Sequence, residues 1–458
     1  MALSWNKSPG SCDSEQGGPE HTMKKRILIL GGGFGGLYAA LELDKAAGRR
    51  SDLEVTLVSR ENFILFTPML HEVAASDIDL THIVNPIRKM LRHVNFFHAE
   101  VQSMDLAGKT VRVAHSKEAH VHDLPYDQLV IALGCTTNFF RLPGLEEVAF
   151  TMKSLGDAIE VRNHLIEALE AADFECAAGH RDELLTVVVA GGGFSGVETI
   201  AGINDFLRGA TRYYKHLGQE QIRVVVVHPG PVILPELGEQ LGAYAQKRLA
   251  ERGVDIRVNC RVAAVRDGNV ELTDGSVIRT STLIWTAGTS QHPLAGCLPC
   301  PSERGRLKVN EFMELEGWPG VWALGDCASV PDPATGKPYP PTAQHAIRQG
   351  KVLARNILAT IDGTEKKPFR FSTLGLLAAI GRRTGVANIL GVQFSGFIAW
   401  FLWRGIYLSK LPRIEKKVRV ALDWTLDLFF TKDLVQFQTG RSPAMTQEEA
   451  VRSKGAGE

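Results

Sequence analysis

The stretches RILILGGGFGGLYAALEL (residues 26–43) and TVVVAGGGFSGVETIAGINDF (residues 186–206) repeat one pattern. Each is a short β-branched or leucine-rich run, followed by clustered glycines and then by an amphipathic segment with helical spacing. A second apolar run follows each repeat, at residues 54–60 and at residues 222–229. Two strand–helix–strand units of this kind predict an α/β fold with two parallel sheets that helices cover on their faces.

The glycines of both repeats have the spacing G-x-G-x-x-G, which is typical of a phosphate-binding turn. The first glycine makes a tight turn, the second lets the backbone approach a pyrophosphate, and the third allows close packing of helix on strand. The helix N-terminus then offers its amides to the phosphates. One such motif is a weak signal, but two of them in a strand–helix context predict two dinucleotide sites. The two sets are Gly31, Gly33 and Gly36, and Gly191, Gly193 and Gly196.

Both units lack the acid that usually follows the glycines by about 20 residues and binds a ribose hydroxyl. Ser59 ends the second strand of the first unit, with Glu61 nearby, and His228 ends the corresponding strand of the second unit. Since an acid in the second unit normally favours NADH over NADPH, the sequence leaves the choice of donor open.

Composition narrows the class of protein. The length of 458 residues predicts two or three domains, and 51 basic against 51 acidic residues argue against nucleic acid as a general partner. Seven scattered cysteines favour a reducing compartment over a secreted disulfide framework. Residues 1–22 are polar and without an apolar core, which predicts a disordered tail and not a signal peptide.

The chain resembles the type II (single-subunit, non-pumping) NADH:quinone oxidoreductases over about residues 24–430. The motifs that carry the resemblance are VSRENFILFTPMLHEVA (residues 58–74), AGGGFSGVE (190–198), ALGDCA (323–328) and SGFIAWFLWRGIYL (395–408). The resemblance implies two Rossmann-like domains, one for FAD and one for NADH or NADPH, with a quinone as electron acceptor. It divides the chain into FAD-binding segments at 23–150 and 306–370, an NAD(P)H-binding domain at 151–305 and a C-terminal membrane-anchoring or dimerisation region at 371–458.

The resemblance also implies roles for individual residues. Thr67 and Pro68 would lie near the isoalloxazine ring, Ala343 and Gln344 on its quinone side, and Asp326 would accept hydrogen bonds from the ribityl or phosphate end. Glu198 and Gln344 are the expected catalytic residues; Glu198 would relay a proton or hold donor and quinone in place, unless it only caps or packs at its helix start. No metal site is expected. The further cofactor contacts are Gly31, Gly33, Phe34, Gly36, Ser59, Arg60, Val101, Ala132, Gly134 and Gly325 for FAD, and Gly191, Gly193, Phe194, Gly196, His228 and Gly288 for the nicotinamide nucleotide.

One departure concerns the acceptor side. The family often carries a second glutamine four residues after the first, whereas Arg348 stands here and Gln349 follows it on another face of the helix. Two alternatives stay open: a sulfide:quinone oxidoreductase that uses Cys135 and Cys327, and a flavoprotein redox sensor that has lost donor turnover, which His228 keeps possible. The pair Cys297 and Cys300 is interpreted as loop cysteines.

The C-terminal region predicts membrane contact. Residues 384–403 carry no charge, but their glycines and polar residues favour a strand followed by a helix from about Phe397 over a transmembrane span. Trp400, Trp403 and Tyr407 share one face of that helix, as in an interfacial helix. We expect peripheral attachment to the cytoplasmic face of the inner membrane, and a homodimer through the same region. The basic cluster expected to meet anionic headgroups is Lys410, Arg413, Lys416, Lys417 and Arg419.

Overall fold

The first glycine repeat lies in a parallel five-stranded sheet, as the sequence predicts. The computed structural model describes residues 24–115 and 120–437, so the expected tail at 1–22 lies outside the described residues. The strand that precedes the glycines is central, and its two neighbours run parallel to it. In spatial order the strands are Val321–Ala323, Gln128–Ile131, Lys25–Leu30, Leu53–Ser59 and Asn95–His98.

The second repeat builds a second sheet in the same way. Its central strand is again the one that leads into the glycines, and every pairing in the sheet is parallel. The three inner strands are mostly apolar and almost fully buried, as expected where helices cover both faces of a parallel sheet. In spatial order they are Phe150–Thr151, Thr282–Trp285, Thr186–Ala190, Arg223–Val227 and Val254–Arg257. The predicted α/β class with two dinucleotide-binding folds is confirmed.

Eleven helices are present in the part of the chain that the structure describes. The two longest, α4 and α9, span 20 residues each. The helices are α1 (Phe34–Ala47), α2 (Leu70–Ala74), α3 (Leu145–Val148), α4 (Leu155–Phe174), α5 (Ala178–Leu184), α6 (Phe194–Ala210), α7 (Glu239–Glu251), α8 (Pro293–Gly296), α9 (Ala343–Asp362), α10 (Gly396–Lys410) and α11 (Ile414–Leu426).

A short antiparallel pair joins the two parallel sheets. Cys135–Thr137 follows a strand of the first sheet and pairs with Thr289–Gln291, which follows a strand of the second. The carboxyl ends of both sheets, where ligands bind in such folds, are therefore tied together. The remaining small sheets are Phe63–Leu65 with Val84–Pro86; Glu100–Asp105, Thr110–His115 and His120–Pro125; Val262–Arg266, Asn269–Leu272 and Val277–Arg279; and Ser302–Glu303, Arg306–Lys308 and Ala328–Ser329.

The C-terminal region contains an antiparallel sheet and two helices. The sheet consists of Gly375–Ala379, Gly385–Ile389 and Val392–Ser395, so the single predicted strand is in fact two, and the helix begins at Gly396. Of the described helices, none is long and apolar enough to cross a bilayer. The rejection of a spanning helix at residues 384–403 is consistent with this finding.

The prediction that the aromatic face of α10 meets the membrane is wrong. Trp400 and Trp403 are only 9% and 1% exposed, and Tyr407 packs against the same core. This face is covered because the C-terminal sheet, α2 and α11 lie on it. For example, the ring centroids of Trp403 and Trp424 are 6.1 Å apart. The opposite side of α10 is the exposed one, and it presents Phe397, Ile398 and Phe401.

Candidate functional site

The first glycine loop has the shape that a pyrophosphate requires. Gly31 has φ +105°, and a Cβ on Gly36 would lie 2.0 Å from the carbonyl oxygen of Gly31, so both positions need glycine. Around Gly33, by contrast, no described atom lies within 4 Å of a Cβ position. No side chain within residues 24–115 or 120–437 caps α1 at Gly33. The amides of the first turn of α1 therefore face open space and are available to an anion.

The second glycine loop has the same geometry. Gly191 has φ +118°, a Cβ on Gly196 would lie 1.8 Å from the carbonyl oxygen of Gly191, and the space beside Gly193 is free of described atoms. Among the described side chains none caps α6. Thr286, which sequence reasoning missed, donates from Oγ1 to the carbonyl oxygens of Ala190 and Gly191 at 3.0 and 3.2 Å and fixes the turn.

Several predicted FAD contacts surround the first loop. The positions that Cβ atoms would take on Gly31 and Gly32 lie 2.3 Å from the carbonyl oxygen of Ala132 and 2.6 Å from Oγ of Ser59. Gly134 lies just beyond Ala132, has φ +72° and borders open space among the described atoms. These residues form one wall of the cleft above the first sheet.

The Gly325–Asp326 turn completes this wall. Gln349 is buried on α9 and its Oε1 accepts the backbone N–H of Gly325 at 2.9 Å. Gln349 therefore points away from the expected quinone side, as predicted, but it also fixes the turn, which sequence reasoning missed. The carboxylate of Asp326 accepts the thiol of Cys135 at 3.5 Å.

The two candidate sulfide-handling cysteines are poorly placed to react. Cys327 is fully buried, its thiol donates to backbone carbonyls, and burial raises its pKa to about 11. Burial and the neighbouring Asp326 carboxylate also raise the pKa of Cys135. Since the thiolate is the nucleophile, these environments disfavour the sulfide-oxidising alternative.

His228 occupies the place of the ribose-binding acid in the second fold. Its Nδ1 accepts the backbone N–H of Gly192 at 3.2 Å, and burial lowers its pKa. The imidazole is therefore neutral and stabilises the glycine loop. Gly288, with φ +84°, lies against the ring of Phe140 on the other side of the cleft.

The other predicted cofactor contacts are dispersed. Arg60 is exposed at 3.6 Å from Glu61, and Val101 packs against the core of the first fold. Phe194 packs into the core between the second sheet and the C-terminal region. Phe194 directly follows Gly193 in the second glycine loop, whereas the structure supplies no contact that ties Arg60 or Val101 to either loop within the described residues. The roles of all three residues stay predictions.

The expected ring side of the cleft is formed by two helix starts. Thr67 and Pro68 begin a 3-10 turn, Thr67–Met69, that leads into α2. Ala343 and Gln344 begin α9, and the guanidinium of Arg348 lies 4.0 Å over the ring of Phe371 while donating to the Gln344 carbonyl at 2.8 Å. Arg348 thus stays on the Gln344 side of α9, where the resemblance places the acceptor.

Glu198 is buried and faces the C-terminal region, so it does not cap α6. Its Oε1 accepts the N–H of Ala379 at 3.1 Å and the indole N–H of Trp403 at 2.9 Å. Its Oε2 lies 3.8 Å from Nδ1 of His71, whose pKa burial lowers to about 3. Burial raises the pKa of Glu198 to about 8, so its carboxyl group is mostly protonated at neutral pH.

A chain of aromatic contacts links Glu198 to the first glycine loop. Ring centroids are separated by 6.0 Å between Phe34 and Phe66, by 6.2 Å between Phe66 and Tyr407, and by 4.7 Å between Tyr407 and Trp403. Trp403 then donates to Glu198. The C-terminal helix is therefore part of the site, which sequence reasoning missed because it assigned this aromatic face to the membrane.

Comparison with known proteins agrees with this geometry. The family model described as pyridine nucleotide-disulphide oxidoreductase matches residues 25–350, and the model of the NDH2 C-terminal domain matches residues 374–433. The chain is 34% identical over 428 residues to the type II NADH:quinone oxidoreductase Ndh of Mycobacterium tuberculosis, with 89% of each chain covered. It is 33% identical to the demethylphylloquinone reductase NdbB of Synechocystis, covering 88% of this chain and 96% of that protein.

The fold is also that of a solved relative. The structure of NDH2 from Plasmodium falciparum in complex with NADH superposes with a TM-score of 0.84 at 21% identity, covering 90% of this chain and 100% of the other. The chain therefore belongs to the type II NADH:quinone oxidoreductases, within the pyridine nucleotide-disulphide oxidoreductase family.

Proposed function

We propose that this protein oxidises NADH through a bound FAD and passes two electrons to a membrane quinone without pumping protons. The observation that carries the proposal is the pair of open glycine loops at the carboxyl ends of two sheets that one antiparallel strand pair ties together. The names of the relatives support NADH as donor and a quinone as acceptor.

The first loop fits FAD. The open space beside Gly33, the uncapped start of α1 among the described residues and the wall formed by Ser59 and Ala132 suit a pyrophosphate and its ribose. Asp326, on a turn that Gln349 fixes, would accept hydrogen bonds from the ribityl or phosphate end. When bound, FAD supplies a two-electron carrier that accepts a hydride and returns the electrons to a second substrate.

The protein contributes position and proton control. The phosphates of the donor would be held by Gly191, Gly193 and the start of α6. Because a neutral His228 stands where an acid usually selects NADH, the preference for NADH or NADPH has to be measured. Gln344 would donate an amide hydrogen bond on the quinone side. Glu198 holds a proton at neutral pH in a buried place beside His71, where it can serve as a general acid.

Anaerobic mixing of the detergent-purified holoenzyme with NADH, and separately with NADPH, tests this function. We expect NADH to bleach the visible flavin band rapidly after mixing and a soluble quinone to restore it. The reason is that one side of the cleft is assigned to the donor and the other to the acceptor. The ratio of the two bleaching rates ranks the donors. If dithionite bleaches the band but neither nicotinamide does, the proposed function is wrong and the sensor alternative gains support.

The C-terminal helices offer a surface for membrane attachment. Phe397, Ile398 and Phe401 are exposed on α10, and α11 exposes one apolar stripe. Residues four apart lie on one face of a helix, so this stripe is continuous. The stripe consists of Ile414, Val418, Leu422 and Leu426. Together with the basic cluster from Lys410 to Arg419, this surface suits an anionic bilayer. We infer that it attaches the protein to the cytoplasmic face of the inner membrane, and a homodimer would use the same region.

Replacing Phe397 and Phe401 together with glutamate should weaken binding to vesicles that contain anionic lipid. Burial of one phenylalanine is worth about 1.5–3 kcal/mol, so we expect at least about a tenfold loss of vesicle affinity in co-sedimentation. Turnover with NADH and a soluble quinone should not change. Phe174→Glu is the matched control, because Phe174 is 76% exposed on α4, outside the C-terminal region. Equal losses in both proteins would contradict the assignment.

A further inference from the structure

A cavity of about 320 Å³ lies between α2, α6, α10 and residues 427–434. Glu198 and Glu72 line its inner part, while Phe429 and Phe430, which are 78% and 66% exposed, line the part that reaches the surface. Water takes about 30 Å³ in the liquid, so the cavity has room for several molecules. Its lining carries charged and polar groups, which is the condition for a cavity to hold water.

Glu72 is the second buried carboxyl group of this cavity. It is 5% exposed, and its two oxygens accept the indole N–H of Trp424 at 3.0 and 3.2 Å. Arg404 lies nearby, with its guanidinium 4.1 Å over the ring of Trp400 and 4.7 Å over that of Trp424. Nε of Arg404 is buried and has no hydrogen-bond partner within the described residues.

The surroundings of Glu72 favour the neutral form of its carboxyl group. Burial raises the pKa of Glu72 well above its ordinary value, the nearby carboxylate of Asp77 raises it further, and Arg404 and the hydrogen bond from Trp424 oppose them. Lys432 pairs with Asp77 at 2.6 Å. A neutral buried carboxyl group can donate a proton and take one back, which an ion pair cannot do as readily. The titratable and charged groups that face Glu72 or share its cavity are His71, Asp77, Glu198, Asp205, Arg212, Tyr213, Arg382, Arg404, Asp427 and Lys432.

The proposed reaction needs a proton from solvent. NADH brings two electrons and one proton as hydride, so the balanced reaction is NADH + H⁺ + quinone → NAD⁺ + quinol. Glu198 is 6% exposed and cannot exchange with bulk water directly. After Glu198 gives up a proton, another proton has to reach it from solvent, and the cavity that it shares with Glu72 offers a route.

We propose that this cavity is the proton-entry route for quinone reduction, and that Glu72 passes protons from cavity water toward Glu198. In each turnover the O–H bond of Glu198 breaks as its proton goes to the quinone. Glu72 gives its proton, through cavity water, to the Glu198 carboxylate, and a proton from bulk solvent, carried along the cavity water, then restores Glu72. This inference rests on the proposed function, and it makes Glu72 a relay residue that acts through Glu198.

The test uses the full-length holoenzyme with Glu72→Gln, which keeps an oxygen acceptor for Trp424 but has no dissociable proton. Stopped-flow spectroscopy separates flavin reduction by NADH, which needs no solvent proton, from reoxidation by a soluble quinone. We expect flavin reduction within twofold of wild type and reoxidation slowed by about tenfold, with a larger solvent deuterium isotope effect. A small weak acid in the buffer should restore part of the rate by entering the cavity.

A second variant tests the cavity without touching a carboxyl group. Gly209 lines the cavity on α6, and no described atom lies within 4 Å of a Cβ built there, so Gly209→Leu fills the cavity without a clash at Cβ. It should slow reoxidation in the same selective way. Glu170→Gln is the matched control, because Glu170 accepts the hydroxyl of Tyr214 away from the cavity and should behave as wild type.

The outcomes separate this inference from the proposed function. If quinone does not reoxidise the wild-type flavin, the proposed function itself fails. If wild type turns over and both Glu72→Gln and Gly209→Leu reoxidise at the wild-type rate with an unchanged isotope effect, only the proton route is wrong. Equal slowing of flavin reduction and reoxidation would show a purely structural role for Glu72 and would also overturn the proposal.

Discussion

Replacing Gly196 with alanine should leave a yellow protein that NADH no longer reduces efficiently. The new Cβ would lie 1.8 Å from the carbonyl oxygen of Gly191, so α6 must move away from the loop whose amides would hold the donor phosphates. A displacement of about 1 Å in a positioning element costs about 100-fold in rate, and we expect at least that loss in kcat/KM for NADH. Flavin content, measured from the visible band after purification, should stay at the wild-type level.

The equivalent change in the first loop should have a different result. In Gly36→Ala the Cβ would lie 2.0 Å from the Gly31 carbonyl oxygen, so the protein should purify without bound flavin. Gly179→Ala on α5 is the control, since no described atom lies within 4 Å of its Cβ position and helix propensity favours alanine. Normal NADH kinetics in Gly196→Ala would contradict the assignment of the second loop to the donor. Flavin loss in Gly196→Ala, with normal flavin content in Gly36→Ala, would exchange the assignments of the two loops.

The two sheets could be predicted because their signals are local. Each central strand, its glycines and the following helix are contiguous in sequence. The spacing of the glycines predicts where the backbone makes close approaches. The strands Thr282–Trp285 and Val321–Ala323 could likewise be found, since each is a short apolar run that ends near a glycine. None of these predictions depends on which distant segment of the chain packs against the sheets.

The C-terminal helix shows what local patterns leave out. Helical spacing correctly groups Trp400, Trp403 and Tyr407 on one face, but spacing alone cannot say whether protein or lipid covers that face. The answer depends on α11 and on Glu198, which precedes Trp403 by 205 residues. For the same reason Gln349 could be removed from the quinone side by helix geometry, while its bond to Gly325 could not be foreseen.

Glu198→Gln should lower turnover with quinone by about 100-fold while leaving flavin content unchanged, because a positioned general acid contributes at least that much. The glutamine oxygen can still accept from Ala379 and Trp403, so the fold around the site is kept. Flavin reduction by NADH should stay close to wild type. Stopped-flow rates for the two half-reactions, measured as in the Glu72 experiment, separate these effects.

The pH dependence of quinone reduction and of stability provides a second, independent test of Glu198→Gln. The pKa of Glu198 is raised to about 8, so the wild-type carboxyl can donate below that pH, and quinone reduction should fall as the pH rises through 8. A raised folded-state pKa also means that the stability from the neutral carboxyl is fully present below its ordinary value of 4.5 and is lost as the pH rises toward 8. Glu198→Gln should therefore lose the alkaline fall in rate, and its melting temperature should decline less than that of wild type between pH 5 and 8. A variant that keeps the alkaline fall would show that another group controls the proton, because an amide cannot titrate in this range.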